Sequence, residues 1–413
     1  MSFHDHHIHP LGYAGLVNGL ELMGLGSLDE VLGKVVDRAA ATEGAVIGQR
    51  LNDEGLAEAR LPTRHDLDSV IPDRPVLLYR YCGHIAVANT RTLEMAGVDA
   101  GTTDPDGGSI DRGADGEPTG VLRETAVTLV SRALAPFVNG PSDGQILEAL
   151  ARLPAMGLGS ITGIVSAGEP LWCGVPDELG TLCRLAPDLP LGIDVLVAAD
   201  NASVLADAAD QIRRSEGRLR FLGWKEFADG SFGGHTAAMH QPYTDRPDTM
   251  GTDRLRPDHT IEMARTSILL GGSVAIHAIG DRAIDSVLDV YQELIAMGAE
   301  PARLRIEHVS IPTAEAIQRM ADLGVTASVQ PAFLASEGEW LAKRLGDDRM
   351  QRVYPFKSMM QAGIPLIGGS DSPVELPDPE VGITAAVGRP GFNPSERLDR
   401  AQAEGLFSAP SRN

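Results

Sequence analysis

Two histidines near the start of the chain have the spacing of a metal-binding pair. His7 and His9 lie in the run Asp5-His6-His7-Ile8-His9. If this run is a β-strand, residues two apart point to the same face, so both imidazoles could bind one divalent ion. A solvated tract or the remnant of a tag would have a similar composition, because four histidines fall within the first nine residues. The pair alone leaves both interpretations open.

Three further residues of metal-ligand type end or follow apolar runs later in the chain. They are His277, His308 and Asp371. Each would lie where a strand passes into a loop, which is where α/β barrels carry their catalytic groups. Taken singly, such a histidine is commonly a core or surface residue, and Asp371 could cap a helix. Five ligand-type residues at strand ends together predict a site for divalent metal.

Lys225 lies in a mostly apolar run, Leu222 to Phe227, where an unpaired ammonium would be costly to bury. Burial lowers the pKa of a lysine, and its neutral amine can react with carbon dioxide to form a carbamate. The two carbamate oxygens could bridge two cations. Alternatively, Lys225 forms an ordinary ion pair with a carboxylate such as Asp229. The run itself favours neither interpretation.

The elements that must position these residues alternate between strand-like and helical patterns. The strand-like runs are nearly continuous apolar stretches, as is typical of parallel strands covered on both faces. They lie at residues 5–9, 159–167, 191–198, 222–228, 273–279, 304–309, 325–330 and 364–368. Helical patterns lie between them, for example at 283–297 before Gly298 and after the expected N-cap Thr313. Eight such units predict an α/β fold of the (β/α)8 TIM-barrel type.

One long region does not follow this alternation. Residues 20–150 are rich in Gly and Pro and contain a strand-like run of their own at 75–81. Residues 101–120 have the composition of a loop or hairpin. We therefore expect residues 1–413 to form a single hydrolase barrel, with 20–150 as an insertion after strand one that covers the active-site face.

The charge balance limits the class of partner. The 413 residues carry 35 Lys and Arg against 57 Asp and Glu, a net charge of −22, which disfavours nucleic acid and anionic membrane. No apolar run approaches the roughly 20 residues that span a bilayer, and the first residues lack the features of a secretory signal. These patterns predict a cytoplasmic protein acting on a small molecule, with a homodimer as the default assembly.

The motifs around the candidate ligands are similar to those of a known enzyme group. The order HxH, Lys, His, His, Asp resembles the binuclear amidohydrolase superfamily. FADGSFG at 227–233, IHAIGD at 276–281, RIEH at 305–308 and GSDSPVE at 369–375 resemble its amidohydrolase-3 branch. That branch contains the YtcJ-like proteins and the N-substituted formamide deformylases. GHIAVANT at 83–90 and PTGVLRE at 118–124 in the insertion are similar to it as well.

The resemblance implies two divalent metal ions. His7 and His9 would bind the more buried ion, His277 and His308 the more exposed one, and carboxylated Lys225 would bridge them. Zinc is the first candidate, although iron, manganese and nickel accept the same ligands. The family also carries a small β-sandwich domain, built partly before the HxH strand, and this chain is expected to lack most of it.

The same resemblance implies a reaction. Asp371 would ligate the first ion, take a proton from a metal-bridging hydroxide and pass it to the leaving nitrogen. The predicted function is a metal-dependent hydrolase of a non-peptide C–N bond in an amide, N-formyl group or cyclic amide. The alternatives are a mononuclear deaminase or an esterase on the same barrel, or a non-catalytic metal-binding barrel.

Five other polar residues are candidates for contact with substrate. They are His84, Arg123, Asp229, Ser231 and Gln330, of which the first two lie in the insertion. An arginine at a barrel mouth could bind a substrate carboxylate with two parallel hydrogen bonds. Arg123 could equally pair with Glu124 or Asp111 and only order the insertion.

Overall fold

The computed structural model describes residues 2–105, 107–168, 175, 177–338 and 340–410. Its strands, in chain order, are β1 (Phe3–Ile8), β2 (Leu20–Glu21), β3 (Val46–Leu51), β4 (Val76–Arg80), β5 (Ile85–Ala88), β6 (Gly108–Arg112), β7 (Pro118–Glu124), β8 (Leu158–Ser166), β9 (Gly192–Ala198), β10 (Leu219–Phe227), β11 (Ser273–Ala278), β12 (Leu304–His308), β13 (Thr326–Val329) and β14 (Leu366–Gly368).

Helices connect most of these strands. They are α1 (Pro10–Asn18), α2 (Leu28–Ala41), α3 (Arg64–Asp68), α4 (Thr90–Ala96), α5 (Ala126–Leu134), α6 (Asp143–Leu150), α7 (Glu178–Leu185), α8 (Ala202–Arg214), α9 (Pro257–Leu269), α10 (Asp281–Ala296), α11 (Ala314–Leu323), α12 (Phe333–Ser336), α13 (Leu341–Met350), α14 (Phe356–Gln361), α15 (Pro379–Gly388) and α16 (Arg400–Gly405). Short 3-10 helices lie at Asp53–Gly55, Ala135–Phe137, Pro154–Met156, Ala186–Asp188, Pro301–Arg303 and Pro394–Glu396.

Eight parallel strands form the sheet that carries the candidate ligands. Their order is β1-β8-β9-β10-β11-β12-β13-β14, and every pair from β1 to β14 runs parallel. The sheet nearly closes where the backbone N–H of Asp371 donates to the carbonyl of His7 (2.7 Å) and that of His9 to the carbonyl of Ser372 (2.8 Å). All eight predicted strands are therefore confirmed, as is the α/β barrel sheet.

The chain divides into two compact units, and the barrel is one of them. The other is formed mainly by Leu11–Ile146. It contains a six-stranded sheet of its own, ordered β2-β3-β4-β5-β7-β6, in which β2, β3 and β4 run parallel and the rest antiparallel. Apolar side chains pack against this sheet in two clusters.

Two details of this second unit were expected from the sequence. The predicted run 75–81 contains β4, and residues 101–120 contain β6 and the first three residues of β7, the strand that pairs with it as a hairpin. That the region covers the active-site face stays a prediction, as does the absence of the family's β-sandwich.

Local sequence explains the helix ends around the barrel. Thr313 accepts a hydrogen bond from the backbone N–H of Ala316, as predicted for an N-cap, and α11 ends at Gly324 with φ +69°. The buried stripe of α10 includes Ile284 and Val287, in agreement with the predicted helical pattern. None of the helices in the described ranges is long and apolar enough to cross a membrane.

Candidate metal centre

All four histidines of the N-terminal strand region are buried. His4 contacts Ser160 Oγ (2.7 Å) and Thr162 Oγ1 (3.0 Å) through its two ring nitrogens. His6 Nε2 donates to the carbonyl oxygen of Ser408 at 2.9 Å. His7 is 1% exposed and His9 8%. These contacts exclude a solvated tract, because each ring is packed inside the barrel unit.

His7, His9 and Asp371 form a compact group of ligand-type atoms. Nε2 of His7 lies 3.2 Å from Asp371 Oδ1, and Nε2 of His9 lies 3.3 Å from the same oxygen. One ligand atom from each residue falls within 4.8 Å of the other two, and all three side chains are buried. This spacing suits three ligands of a single divalent ion.

The second histidine pair adjoins this group. Phe227 is paired with His277 across β10 and β11, and Ala278 with His308 across β11 and β12, so both histidines stand at the carboxyl ends of their strands. Their ring centroids are 4.4 Å apart, and the centroids of His308 and His7 are 5.0 Å apart. The structure thus brings the four predicted histidines to one end of the barrel.

The ring nitrogens of these histidines differ in the groups that they contact. His7 Nδ1 contacts Glu307 Oε2 at 2.5 Å, which leaves Nε2 on the Asp371 side. His277 directs Nε2 at the carbonyl oxygen of Gly230, 2.9 Å away. His308 Nδ1 is buried with no hydrogen-bond partner among the described residues. Imidazole rings that are hydrogen-bonded through one nitrogen can bind a metal ion through the other. Together with a carboxylate, they form a set of ligands that zinc and related ions accept.

The ionisation states suit metal binding. Burial alone would raise the pKa of Asp371, but His7, His9 and His308 hold it well below its usual range, so the carboxylate is charged at neutral pH. Burial and the neighbouring His277 hold the pKa of His308 well below its usual value, which keeps that ring neutral. For His7, burial is outweighed by Asp371 and Glu307, which raise its pKa. A metal ion therefore competes with a proton for His7 more than it would for an ordinary histidine.

Two of the candidate ligand residues have strained backbone. Asp371 has φ +56° and His308 φ +74°, in the left-handed region that residues with a β-carbon rarely adopt. Such conformations cost about 1–3 kcal/mol each and persist only where the surrounding structure enforces them. They are commonest at functional sites. His308 is the last residue of β12 and Asp371 follows β14, so both positions lie where a strand passes into a loop.

Lys225 is buried and has no carboxylate partner among the described residues. Only 2% of it is exposed, and its Nζ donates to the carbonyl oxygen of Glu226 (3.1 Å) and lies 3.5 Å from the ring centroid of Phe227. No ion pair with Lys225 occurs among the residues the structure describes. Burial lowers its pKa to about 8, although Glu307 and Asp371 act in the opposite direction. The sequence alternative, an ion pair with Asp229, is not formed.

A buried pair of charges behind His7 was missed by sequence reasoning. Glu307 has no exposed surface, contacts His7 Nδ1 and is paired with Arg305 through both carboxylate oxygens. Arg305 Nη2 also donates to the carbonyl oxygen of His6 (2.8 Å) and contacts Ser328 Oγ (3.1 Å). Burial would raise the pKa of Glu307, but Arg305 and His7 hold it well below its usual range. The signal was present as two charged residues in the otherwise apolar strand β12.

Asp5 was also missed. Its Oδ1 accepts hydrogen bonds from the backbone N–H groups of His7 (3.0 Å) and Ser370 (3.1 Å), which joins β1 to the segment before Asp371. Burial raises the pKa of Asp5 to about 6. Gly369 is required at this junction, since a β-carbon there would lie 2.5 Å from the backbone nitrogen of His7.

Three of the predicted substrate-contacting residues lie in the barrel unit. Asp229 is fully buried and accepts backbone N–H groups from Ala238, Ile279 and Gly280 at 2.8–3.0 Å. Ser231 Oγ accepts from the backbone of Gly234 at 3.2 Å. These contacts fix the loop after β10. Gln330 is buried immediately after β13. Contact of all three with substrate stays a prediction.

The other two lie in the second unit. His84 Nδ1 contacts Glu124 Oε2 at 2.8 Å. Arg123 binds both carboxylate oxygens of Asp111, at 2.8 and 2.7 Å, which is one of the pairings that the sequence left open. A role of either residue toward substrate stays a prediction.

Comparisons with known proteins identify relatives of this chain in both sequence and structure. The model of the amidohydrolase family matches residues 2–409. YtcJ of Bacillus subtilis, which is named as an amidohydrolase, is 33% identical over 421 residues, covering 98% of this chain and 78% of that protein. An N-substituted formamide deformylase of Arthrobacter pascens is 29% identical over 376 residues, 88% of this chain and 68% of that enzyme. A solved structure of an uncharacterized metal-dependent hydrolase from Pyrococcus furiosus superimposes with a TM-score of 0.72 and 30% identity, covering 98% of this chain and 80% of that one.

Proposed function

The chain belongs to the amidohydrolase family, and we propose that it hydrolyses a non-peptide C–N bond of a small molecule at a centre of two divalent ions. The substrates we favour are N-acyl, N-formyl and cyclic amides. The observation that carries the proposal is the shared position of Asp371 Oδ1, 3.2 and 3.3 Å from Nε2 of His7 and His9, beside the second histidine pair.

The proposed ligands divide into two sets joined by one residue. His7, His9 and Asp371 would hold one ion, His277 and His308 the other, and Lys225 as a carbamate would reach both. Zinc is the first candidate for both positions. When bound, such ions polarise the substrate carbonyl and lower the pKa of the attacking water.

Carboxylation of Lys225 requires a neutral amine in a dry environment. The neutral Nζ attacks the carbon of carbon dioxide, a nitrogen–carbon bond forms and one proton is released, leaving a carbamate anion. The buried Lys225, with its pKa lowered to about 8 by burial and no carboxylate partner in the described part of the chain, meets this requirement.

Asp371 is the proposed proton carrier. Its carboxylate stays ionised at neutral pH because His7, His9 and His308 lower its pKa against the effect of burial. It can accept a proton from the attacking water and return it to the leaving nitrogen, which departs as a neutral amine.

One observation favours a second candidate, a one-ion deaminase. Within the described ranges, His7, His9 and Asp371 have ligand atoms mutually within 4.8 Å, and this group alone could hold a single ion. A mononuclear centre would not need a carboxylated lysine, so the buried and unpaired Lys225 favours the two-ion proposal.

Metal stoichiometry separates these proposals. Untagged protein grown with added zinc and bicarbonate would be measured by plasma mass spectrometry, then assayed on matched amides and esters of one acyl group. About two ions per chain with amide hydrolysis supports the proposal, and about one ion with release of ammonia supports the deaminase. Ester cleavage alone would make the protein an esterase, and absence of metal would leave a non-catalytic barrel.

A further inference from the structure

A buried amide just after β13 has no hydrogen-bond partner in the described ranges of the chain. Gln330 follows the last residue of β13, and only 1% of its surface is exposed. Neither its Oε1 nor its Nε2 has a hydrogen-bond partner among the residues that the structure describes. An unpaired polar group inside a protein lowers the free energy of unfolding, so this amide is kept at a cost in stability.

Gln330 lies on the interior face of its strand. Ser328, two residues earlier, contacts Arg305 Nη2 through its Oγ at 3.1 Å. Arg305 is paired with Glu307, which contacts His7. Since residues two apart on a strand share a face, Gln330 shares the face that holds this buried charge pair, one step nearer the carboxyl ends of the strands.

The register of the sheet places Gln330 beside the proposed ligands. Ser328 is paired with Glu307 on one side, and Val329 is paired with Gly368 on the other. If this register is extended by one residue, Gln330 lies beside the segment just after His308 on one side and the segment just before Asp371 on the other. Groups at this level of a barrel are the ones that meet substrate.

We propose that Gln330 recognises substrates in which a cis amide carries its N–H and its carbonyl on the same edge, an inference that rests on the proposed function. A primary amide presents an Nε2–H donor and an Oε1 acceptor side by side. A ligand that satisfies both at once must carry an N–H and a carbonyl on one edge, as lactams, cyclic imides and cyclic ureides do. An open-chain secondary amide in its trans form directs these groups to opposite sides. Among the favoured substrates, Gln330 therefore selects cyclic amides.

The test compares two probes on two variants. Glutarimide offers the N–H and carbonyl edge, whereas N-methylglutarimide keeps both carbonyls and loses the donor. Gln330→Met removes the amide at nearly constant volume. Thr260→Val is the matched control, because Thr260 on α9 is also fully buried with an unpaired hydroxyl. Metal content, melting temperature, KM, kcat and the probe-induced rise in melting temperature would be measured for each protein.

Both variants are expected to raise the melting temperature of the metal-free protein by about 1–2 °C, since each removes an unpaired polar group. Only Gln330→Met is expected to raise the KM or dissociation constant for glutarimide, by about tenfold or more, while kcat changes less. N-methylglutarimide should bind the unmodified protein as weakly as glutarimide binds Gln330→Met.

Three results would overturn the inference. These are unchanged glutarimide binding in Gln330→Met, equal binding of the two probes by the unmodified protein, and no response of that protein to glutarimide at all. In each case, hydrolysis of N-acyl or N-formyl substrates by the same metal-loaded preparation would leave the proposed function standing. Loss of both activities in fully loaded protein would reject the proposed function instead.

Discussion

His7 and His308, one from each histidine pair of the candidate centre, are held in different ways. His7 is fixed by buried charge, with Glu307 against Nδ1, Arg305 behind Glu307 and Asp5 on its backbone N–H. His308 Nδ1 instead has no hydrogen-bond partner in the part of the chain that the structure describes, and its ring stacks on Phe333 at a ring-centroid distance of 6.2 Å. A carboxylate behind an imidazole orients the ring and increases its basicity. We call His7, His9 and Asp371 the first half of the centre and His277 and His308 the second half. We expect the first half to bind its ion more tightly, so that the ion of the second half is the one lost on dilution.

Removing the residue that joins the halves should have the largest effect. Lys225→Ala is expected to abolish amide hydrolysis and the binding of one ion, because no ligand then bridges the two halves of the centre. A short carboxylic acid such as propionate, supplied at high concentration, should restore part of the activity by occupying the space. The control is Lys357→Ala on α14, which should need no rescue. Full activity of Lys225→Ala would remove the carbamate from the mechanism.

Asp371 belongs to the first half but is assigned a role beyond holding the ion. Asp371→Asn should keep most of the metal while kcat falls about 10²- to 10⁴-fold, since the amide cannot carry the proton. Metal analysis and turnover of one amide substrate measure the two quantities separately. Asp399→Asn, at the N-cap of α16, is the control, and an active Asp371→Asn would refute the proton-transfer role.

The difference between the halves can be tested through the residues behind them. Glu307→Gln should weaken the tighter ion about 10- to 100-fold in competition with a chelating dye. Phe333→Leu should change the affinity of the other ion much less, because stacking contributes little to ligand basicity. Glu396→Gln removes another buried carboxylate, one held by the backbone N–H of Ser358 at 2.9 Å, and should affect neither ion. Equal losses in the first two variants would contradict the comparison.

The rate of reconstitution should depend on pH through Lys225. With its pKa lowered to about 8 by burial, the neutral fraction of the amine rises from about 3% at pH 6.5 to about 75% at pH 8.5 and then levels off. A lysine with the usual pKa of 10.5 would keep gaining about tenfold per pH unit. Recovery of activity by metal-free protein, at fixed dissolved carbon dioxide and saturating zinc, distinguishes the two curves.

Asp5 should give the smallest effect, on stability alone. Its pKa is raised by burial to about 6 from an ordinary 3.8, so the stability that its protonated form supports is lost as the pH rises through about 6. Asp5→Asn should therefore stabilise the metal-free protein above pH 6, by at most about 3 kcal/mol, and leave it unchanged below pH 4. Urea unfolding at pH 4.5 and 7.5 measures this, and equal shifts at both values would contradict the assignment.

The barrel could be predicted from sequence because its strands are covered on both faces. The run 273–279 is mostly apolar, the run 304–309 alternates apolar residues with Arg305 and Glu307, and the two runs carry His277 and His308 near their ends. The second unit was harder to predict, since β2 spans two residues and β5 four, too short for a periodic signal. Its β2–β3, β3–β4 and β5–β7 pairings join segments that are far apart in the chain, and no local pattern marks them.

The support behind the ligands could not be predicted for a different physical reason. Arg305 and Glu307 look unfavourable in an apolar strand until β1 lies across from them and His7 supplies a partner. Likewise Asp5 gains its role only when Ser370 approaches. The closure of the barrel determines what these buried charges contact, and the local sequence around each of them does not.

The closure of the barrel at His7 and Asp371 has a consequence for biosynthesis. Asp5 and Ser370 are 365 positions apart, yet their contact lies within the same junction that unites the ligands of the first ion. A growing chain on the ribosome carries its histidines long before it carries Asp371, so it cannot retain metal in this geometry. In the proposed centre, the site of the first ion is therefore complete only after the last barrel strand, β14, has been synthesised.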